Sequence, residues 1–105
     1  YDLILTGDLG CVGAKILEDY LAINYNIKMK KYLDAGCELF LSSQETYAGG
    51  SGPACLPLVL FNKILTTKKY KKILIIATGA LHSVALVNQA KPIPAIAHAL
   101  SLEVE

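Results

Sequence analysis

A glycine-rich turn that runs directly into an apolar helical segment is the feature that most restricts how this chain can fold. Residues 47–60 contain the turn, Gly49-Gly50-Ser51-Gly52, and the start of the apolar segment. Residues 73–77 then form a short, continuous apolar run, which is typical of a buried strand in an α/β protein. Such a turn can place backbone N–H groups at a helix N-terminus, where anionic ligands bind. The sequence therefore predicts a domain of helices and strands with its binding site at the turn.

The spacing of apolar residues along the rest of the chain predicts the order of its elements. Strands are expected at 2–6, 72–77 and 96–104, helices at 10–23 and 54–66, and irregular structure from 78 to 94. Residues 36–40 fit either a short strand or an extended connector. This order implies an α/β fold with a mixed, mostly parallel sheet covered by helices and closed by an antiparallel last strand.

Length and composition indicate one small domain that contacts other protein. The chain has 105 residues, of which 53% are hydrophobic and 18% are charged, an apolar balance for its size. Because a small domain exposes much of its surface, this surplus predicts an interface with another domain or subunit. The chain opens at Tyr1 with residues that already have the pattern of a strand. We therefore expect residues 1–105 to form a single domain that is a fragment of a longer protein.

The charged residues favour no particular partner. The net charge is +1, and lysines cluster at 28–31 and at 68–72. Such clusters occur on surfaces that bind nucleic acids or membranes. The second cluster, however, falls at the end of a predicted helix, where cations stabilise the helix dipole. We therefore interpret both clusters as solvated loops and expect no nucleic-acid partner.

The three cysteines, Cys11, Cys37 and Cys55, do not have CxxC spacing. Their positions indicate neither a zinc site nor a disulfide framework, and we expect a reducing compartment. Cys55 is expected to pack as a small hydrophobic residue. The most apolar region, residues 73–90, is interrupted by polar residues and falls short of a membrane span.

Few polar residues are candidates for a site. Asp8 follows the first strand and fits both a helix N-cap, which contributes about 1 kcal/mol, and a pocket residue. The turn glycines fit both a tight turn with positive φ and an anion site. His82 follows the strand at 72–77, at the sheet edge where α/β proteins bind ligands. His98 falls within the last predicted strand and is expected to be structural.

Several short segments together resemble a known family. They are Leu5-Thr6-Gly7-Asp8-Leu9-Gly10, Asp34-Ala35-Gly36, Ala48-Gly49-Gly50-Ser51-Gly52, Thr78-Gly79-Ala80-Leu81 and Ile96-Ala97-His98. With the elements between them, they resemble the C-terminal half of the thiolase-like condensing enzymes. The closer resemblance is to the stage V sporulation protein AD family, a noncatalytic branch of that fold in spore formers. Tyr47 departs from the pattern of this family, which is expected to have histidine there.

This resemblance implies a fold and a function. The chain would be a thiolase-like half-domain, which packs against the N-terminal half of the same protein, and the whole protein would be a homodimer. It would bind dipicolinic acid, alone or as the calcium chelate, and aid its uptake into the developing spore. Its other partners would be stage V sporulation A membrane proteins, at the cytoplasmic face of the spore inner membrane. The resemblance implies no cofactor and no metal site of the protein's own.

The resemblance also implies which residues take part. In related ketoacyl synthases, this half supplies a histidine after the first strand and an asparagine in the glycine turn, and both stabilise developing charge. The resemblance matches the histidine position to Asp8 or its neighbour and the asparagine position to Gly50. An ionised carboxylate cannot donate a hydrogen bond and glycine has no side chain, so the donors are lost. The implied site is a noncatalytic pocket formed by Asp8, Gly49, Gly50, Ser51 and His82. The alternatives are an enzyme that condenses acyl thioesters, with its donors elsewhere, and a subunit-interaction module.

Overall fold

A computed structural model describes all 105 residues as one four-stranded sheet with helices in the connections. The strands are β1 (Leu3–Thr6), β2 (Tyr32–Asp34), β3 (Lys72–Ala80) and β4 (Ala95–Glu103). The helices are α1 (Gly10–Tyr25), α2 (Ala35–Glu38), α3 (Cys55–Val59) and α4 (Val84–Asn88). Helix α3 continues through a π-helical turn, Leu60–Ile64, and a 3-10 turn, Leu65–Thr67.

The strands follow the order β2-β1-β3-β4 across the sheet. β1 lies parallel to both β2 and β3, whereas β4 pairs antiparallel with β3, from Lys72 opposite Glu103 to Ala80 opposite Ala95. The predicted α/β fold, with a mixed, mostly parallel sheet and an antiparallel last strand, is therefore confirmed. This architecture is consistent with a thiolase-like half-domain.

One face of the sheet packs against α3 and its continuation to form the hydrophobic core. The most buried apolar side chains of the strands are Leu3, Leu5, Ile73 and Ile75. Ile4, Leu74 and Ile76, which alternate with them, are only half-buried, because successive side chains point to opposite faces of a sheet. The helical segment contributes Val59, Leu60 and Ile64. Full burial of one such side chain contributes about 1.5–3 kcal/mol, so this packing holds the ends of β1 and β3 side by side.

The segment 36–40 is neither a strand nor an extended connector, and that prediction is wrong. The edge strand β2 lies just before it, and Asp34 ends this strand and begins α2. The Asp34 carboxylate accepts a hydrogen bond from the Cys37 N–H (3.1 Å), so the residue serves as a helix N-cap. The segment 78–94, predicted to be irregular, also contains a short helix, α4, which the Ser83 hydroxyl caps.

Cys11 and Cys37 form a disulfide, which corrects the prediction that no disulfide is present. The two residues are 26 positions apart and match no motif, but the fold brings their Cα atoms to 4.7 Å. They meet because the start of α1 and helix α2 are both held by one side chain, Asp34. The inference of a reducing compartment therefore loses its basis. Cys55 is unpaired and buried, as predicted.

Large apolar side chains are exposed on the outside of the domain. Val12, Ile16, Tyr20 and Ile23 lie along one face of α1 at helical spacing and are 49–82% exposed. Nearly every residue of β4 is exposed as well. These surfaces are where the predicted interface with other protein would lie. None of the helices combines the length and apolar character needed to span a membrane.

Candidate functional site

A groove opens at the carboxyl ends of β1 and β3, beside the glycine turn. Its volume is about 910 Å³. The polar side chains that line it belong to Asp8, Ser51, Thr78 and His82, and most of the other lining residues are small and apolar. Ligands of α/β proteins commonly bind at this edge of the sheet. The groove is therefore the candidate functional site.

Asp8 connects the glycine turn to the sheet. One of its carboxylate oxygens accepts the Gly52 N–H (2.6 Å), and the other accepts the Thr78 hydroxyl (3.1 Å). The Asp8 N–H also donates to the Thr78 hydroxyl oxygen (3.3 Å). Helix α1 has Leu9 at its N-cap position, without a capping side chain of its own. The interpretation of Asp8 as the N-cap of α1 is therefore wrong, and the structure places this side chain in the lining of the groove.

Asp34 caps α1 instead, although it lies on the neighbouring strand. Its side chain is 2% exposed and accepts four hydrogen bonds. One oxygen accepts the Leu9 N–H (3.0 Å) and the Thr6 hydroxyl (2.6 Å), and the other accepts the Gly10 N–H (2.9 Å) and the Cys37 N–H (3.1 Å). Amides at the start of a helix have no partner within it. Asp34 therefore fixes β1, α1 and α2 at one point behind the groove.

Backbone hydrogen bonds hold the glycine turn in place. The Gly50 N–H donates to the Gly36 carbonyl (2.6 Å), and the Gly52 N–H donates to Asp8. Gly49 and Gly52 have φ values of 97° and 111°, which side-chain-bearing residues rarely adopt. The tight-turn interpretation is thus confirmed for these two glycines. The Gly50 N–H, which was predicted to be free for an anionic ligand, already donates to the Gly36 carbonyl. The α-helical part of α3 is only 5 residues long, so its N-terminus offers only a weak helix dipole to an anion.

Gly50 is so closely packed that a side chain there would require Leu39 to move. A Cβ atom built there would lie 2.5 Å from Leu39 Cδ2 and 3.0 Å from the Cys55 sulfur. At Gly49, an added Cβ would overlap the Gly36 carbonyl oxygen. Gly49 and Gly50 therefore do not line the groove and instead form its support. The structure brings the other three predicted site residues to the groove: Asp8, Ser51 and His82.

Thr78 is a groove residue that the sequence analysis missed. The strand was expected to end at residue 77, but β3 runs to Ala80 and carries the Thr78 hydroxyl to the groove. A hydroxyl at the carboxyl end of a central strand was the signal that could have identified it. His82 lies just beyond β3 and is exposed. His98 lies on β4 opposite Ala77, outside the groove.

Asp8 supplies the one carboxylate of the groove, and no lysine lies beside it. Asp8 is the only Asp, Glu or Lys among the lining residues. No group of three or more His, Cys, Asp or Glu side chains is arranged to hold a metal ion. A carboxylate with no cation beside it in the groove repels a free dianion and attracts a positively charged or metal-bound ligand.

Two weakly acidic side chains outside the groove lining, those of Cys55 and Tyr32, stay protonated at neutral pH. Burial raises the pKa of the Cys55 thiol above its usual value, and the carboxylates of Asp8 and Asp34 raise it further. Burial also raises the pKa of Tyr32, whose hydroxyl lies 2.8 Å from the Thr6 hydroxyl oxygen. Cys55 thus lacks the lowered pKa of a reactive cysteine.

Comparison with known proteins identifies the family. The family model described as Stage V sporulation protein AD (SpoVAD) matches residues 1–103. The chain belongs to the stage V sporulation protein AD family. The resemblance of the short sequence segments to the stage V sporulation protein AD family is therefore confirmed.

One curated relative shows how much of the family's length is present. Stage V sporulation protein AD of Bacillus subtilis (strain 168) is 40% identical over 106 residues, which cover 98% of this chain and 31% of the relative. The chain thus spans a little under a third of the length of that member of the stage V sporulation protein AD family. The family name describes a sporulation protein and does not name an enzyme.

Proposed function

We propose that this chain forms part of a noncatalytic binding protein for dipicolinic acid, which aids uptake of the acid into the developing spore. Membership of the stage V sporulation protein AD family supports a role in sporulation. The observation that carries the proposal is the groove, in which one fixed carboxylate lies among hydroxyl and imidazole groups and small apolar residues. Such a lining suits an aromatic ring that bears polar substituents, and about 910 Å³ is ample for it.

The charge of the groove favours the calcium chelate over the free dianion. The Asp8 carboxylate repels the two carboxylates of metal-free dipicolinate. Ca²⁺ takes about six to eight oxygen ligands, so a bound chelate can still accept a further carboxylate or be attracted by one. Asp8 therefore attracts the chelated cation. In this proposal, Ser51 and His82, which line the groove, donate hydrogen bonds to the ligand's own carboxylates.

The packing at Gly50 argues against acyl transfer. The condensing enzymes that the sequence resembles use an asparagine at this position, whereas here an added side chain would displace Leu39 and Cys55. Asp8, at the histidine position, uses both of its oxygens to accept hydrogen bonds. An ionised carboxylate cannot donate a hydrogen bond to an oxyanion. The groove is therefore better suited to binding a ligand than to activating a thioester.

The proposed assembly extends beyond this chain. We infer that the exposed faces of α1 and β4 contact the N-terminal half of the same protein, because the matched relative is about three times as long as its matched region. The proposal further includes a homodimer and other stage V sporulation A membrane proteins as partners. Its location is the cytoplasmic face of the spore inner membrane, to which it binds peripherally.

Calorimetric titration of the full-length protein with dipicolinate tests the proposal, once with excess Ca²⁺ and once with a calcium chelator. We expect saturable binding that is tighter with Ca²⁺. Asp8→Asn removes the negative charge but keeps both hydrogen bonds. The amide oxygen can accept the Gly52 N–H, and the amide NH₂ can donate to the Thr78 hydroxyl oxygen. This variant should bind the calcium chelate about tenfold more weakly and the metal-free acid no more weakly than the wild type.

The two histidines provide a matched pair of variants. His82→Ala removes a polar group from the groove and should weaken binding about fivefold, as expected for one lost hydrogen bond. His98→Ala removes the same side chain from β4, outside the groove, and should bind like the wild type. Saturable binding of acyl-coenzyme A in place of dipicolinate would overturn the proposal and favour the condensing enzyme. Binding of neither ligand would favour the subunit-interaction module.

A further inference from the structure

Two lysine clusters that are distant in sequence lie along one edge of the sheet. One precedes β2, and the other ends at Lys72, the first residue of β3. Because both strands are parallel to β1, the loops before them meet at the same, amino-terminal edge. Backbone hydrogen bonds join both clusters to β1, from the Ile4 N–H to the Lys31 carbonyl (2.9 Å) and from the Asp2 N–H to the Lys72 carbonyl (2.7 Å). We call this surface the lysine edge, and its residues are Lys28, Lys30, Lys31, Lys68, Lys69, Lys71 and Lys72.

Charge is divided unequally between the two ends of the strands. The lysine edge combines seven lysines with three carboxylates, those of Asp2, Glu103 and Glu105, for a net charge of +4. The other three lysines and six carboxylates give the rest of the chain a net charge of −3. The overall charge of +1 therefore conceals a strong separation, with the groove at the opposite end from the lysines.

Most of the lysine edge is free to interact with an external anion. All seven lysines are exposed, and only Lys72 forms an ion pair, with Glu103 (2.7 Å). The Asp2 carboxylate accepts the backbone N–H groups of Lys71 (2.9 Å) and Lys72 (3.0 Å) and forms no ion pair with an ammonium group. Six ammonium groups thus lack an ion-pair partner.

Tyrosines lie among these lysines. The Lys72 ammonium is 5.8 Å from the centre of the Tyr1 ring, and the Lys69 ammonium is 5.4 Å from that of Tyr70. Tyr25 ends α1 at the same edge and is 60% exposed. Tyrosine combines an apolar ring with a polar hydroxyl, and it is enriched where proteins meet the headgroup region of a membrane.

The basic residues of this chain suit a lipid surface better than a nucleic acid. All ten are lysines, whereas arginine is the residue that recognises phosphodiesters and base edges through a rigid, bidentate fork. The sequence pI of about 7.9 is also below the range typical of nucleic-acid-binding domains. Flexible lysines spread along one edge match a fluid array of anionic headgroups, which imposes no fixed geometry.

We propose that the lysine edge docks on an anionic phospholipid bilayer, with the groove at the far end of the strands directed away from the lipid. This arrangement keeps the acidic part of the chain, including Asp8, away from the negatively charged surface. It would also leave the groove open to ligand while the protein is bound. The inference rests on the peripheral membrane location proposed above and does not depend on which ligand the groove binds.

Co-sedimentation of the full-length protein with vesicles tests this inference. Vesicles of phosphatidylcholine alone are compared with vesicles of equal parts phosphatidylcholine and phosphatidylglycerol. We expect binding only to the anionic vesicles. It should be lost as salt rises from about 0.1 M to about 1 M, because the Debye length falls from about 10 Å to about 3 Å. Equal binding to both kinds of vesicle would overturn the inference.

Matched lysine variants locate the contact. Each lysine near an anionic membrane strengthens binding about fivefold, so Lys68→Gln with Lys69→Gln should weaken it about 30-fold. Lys15→Gln with Lys91→Gln changes the net charge equally at exposed positions away from the edge and should have little effect. Equal losses in both double variants would overturn the docking geometry.

Two further measurements separate this inference from its alternatives. Tighter binding to a duplex DNA oligonucleotide than to anionic vesicles at the same salt concentration would overturn the choice of a lipid surface. The dipicolinate titration is performed without vesicles, so a failure of ligand binding can be distinguished from a failure of membrane docking.

Discussion

Replacement of Asp34 should loosen the junction of β1, α1 and α2 without removing any large side chain from the core. Asp34→Ala deprives the N–H groups of Leu9, Gly10 and Cys37 of their acceptor, whereas the Thr6 hydroxyl keeps a second partner in Tyr32. A buried donor left without an acceptor costs about 1–3 kcal/mol, and a lost N-cap costs about 1 kcal/mol. Since only the Gly10 amide belongs to a fully buried residue, we expect a loss of about 4 kcal/mol.

The conservative variant Asp34→Asn should cost about half as much. Its remaining oxygen can still accept the N–H groups of Gly10 and Cys37. Its NH₂ group would face the Leu9 N–H, and two donors cannot form a hydrogen bond with each other. We therefore expect a loss of about 2 kcal/mol. Asp19→Asn breaks an exposed pair with Lys15 and serves as the control, with an expected change below about 0.5 kcal/mol.

Chemical denaturation of the full-length protein measures the loss, and hydrogen exchange locates it. The Leu9 and Gly10 amides precede the first amide that α1 itself can satisfy, so their protection in the wild type depends on Asp34. Both variants should speed exchange at residues 9–10, and the middle of α1 should change less. Exchange at residues 9–10 that is unchanged in Asp34→Ala would refute the capping role. A variant as stable as the wild type would refute the energetic argument.

Three further predictions concern the surroundings of the groove. Gly10→Ala should destabilise the protein by more than about 1 kcal/mol, because Gly10 has φ 72° and an added Cβ would clash with the Ala48 carbonyl oxygen. An unchanged melting temperature of this variant would contradict the prediction. Cys11→Ser with Cys37→Ser opens a disulfide that spans 26 residues and should lower the free energy of unfolding by about 3.5 kcal/mol under oxidising conditions. The wild type in dithiothreitol should lose the same amount, and no difference between oxidised and reduced wild type would show that the bond does not form. The buried Cys55 thiol has a raised pKa and therefore stays protonated at pH 7. Its alkylation in the native protein should be slow at pH 7 and accelerate only above the usual thiol pKa of 9.0. Rapid alkylation at pH 7 would contradict the burial of this thiol.

Much of the fold could be predicted from local patterns. The apolar run at 73–77 predicted β3, and the spacing of apolar residues between 10 and 23 predicted α1. Both predictions were possible because the periodicity of strands and helices is a property of neighbouring residues. The segment 36–40 was misjudged because its apolar residues suggested a strand. The stronger local indication was Asp34, whose side chain can cap a helix that begins at the next residue.

The candidate site was predictable only in part. Asp8 and His82 were identified because they follow strands whose carboxyl ends share an edge of the sheet, and Ser51 because it lies in the glycine turn. Gly50 was expected to offer a free amide, but the Gly36 carbonyl, 14 positions earlier in the chain, already accepts it. A local sequence pattern does not show that an N–H group already donates a hydrogen bond to a distant carbonyl.

The sequence by itself determined the family, the α/β class, the long helix α1 and the strands β1, β3 and β4. These depend on periodicity, on turn residues and on short motifs, all of which act over a few neighbouring positions. Only the tertiary structure decided that Asp34 rather than Asp8 caps α1, that Cys11 meets Cys37 and that two lysine clusters form one edge. Each of these depends on strand pairing between segments that are more than twenty residues apart, and the free energy of that pairing comes from burial of the whole core rather than from any single motif.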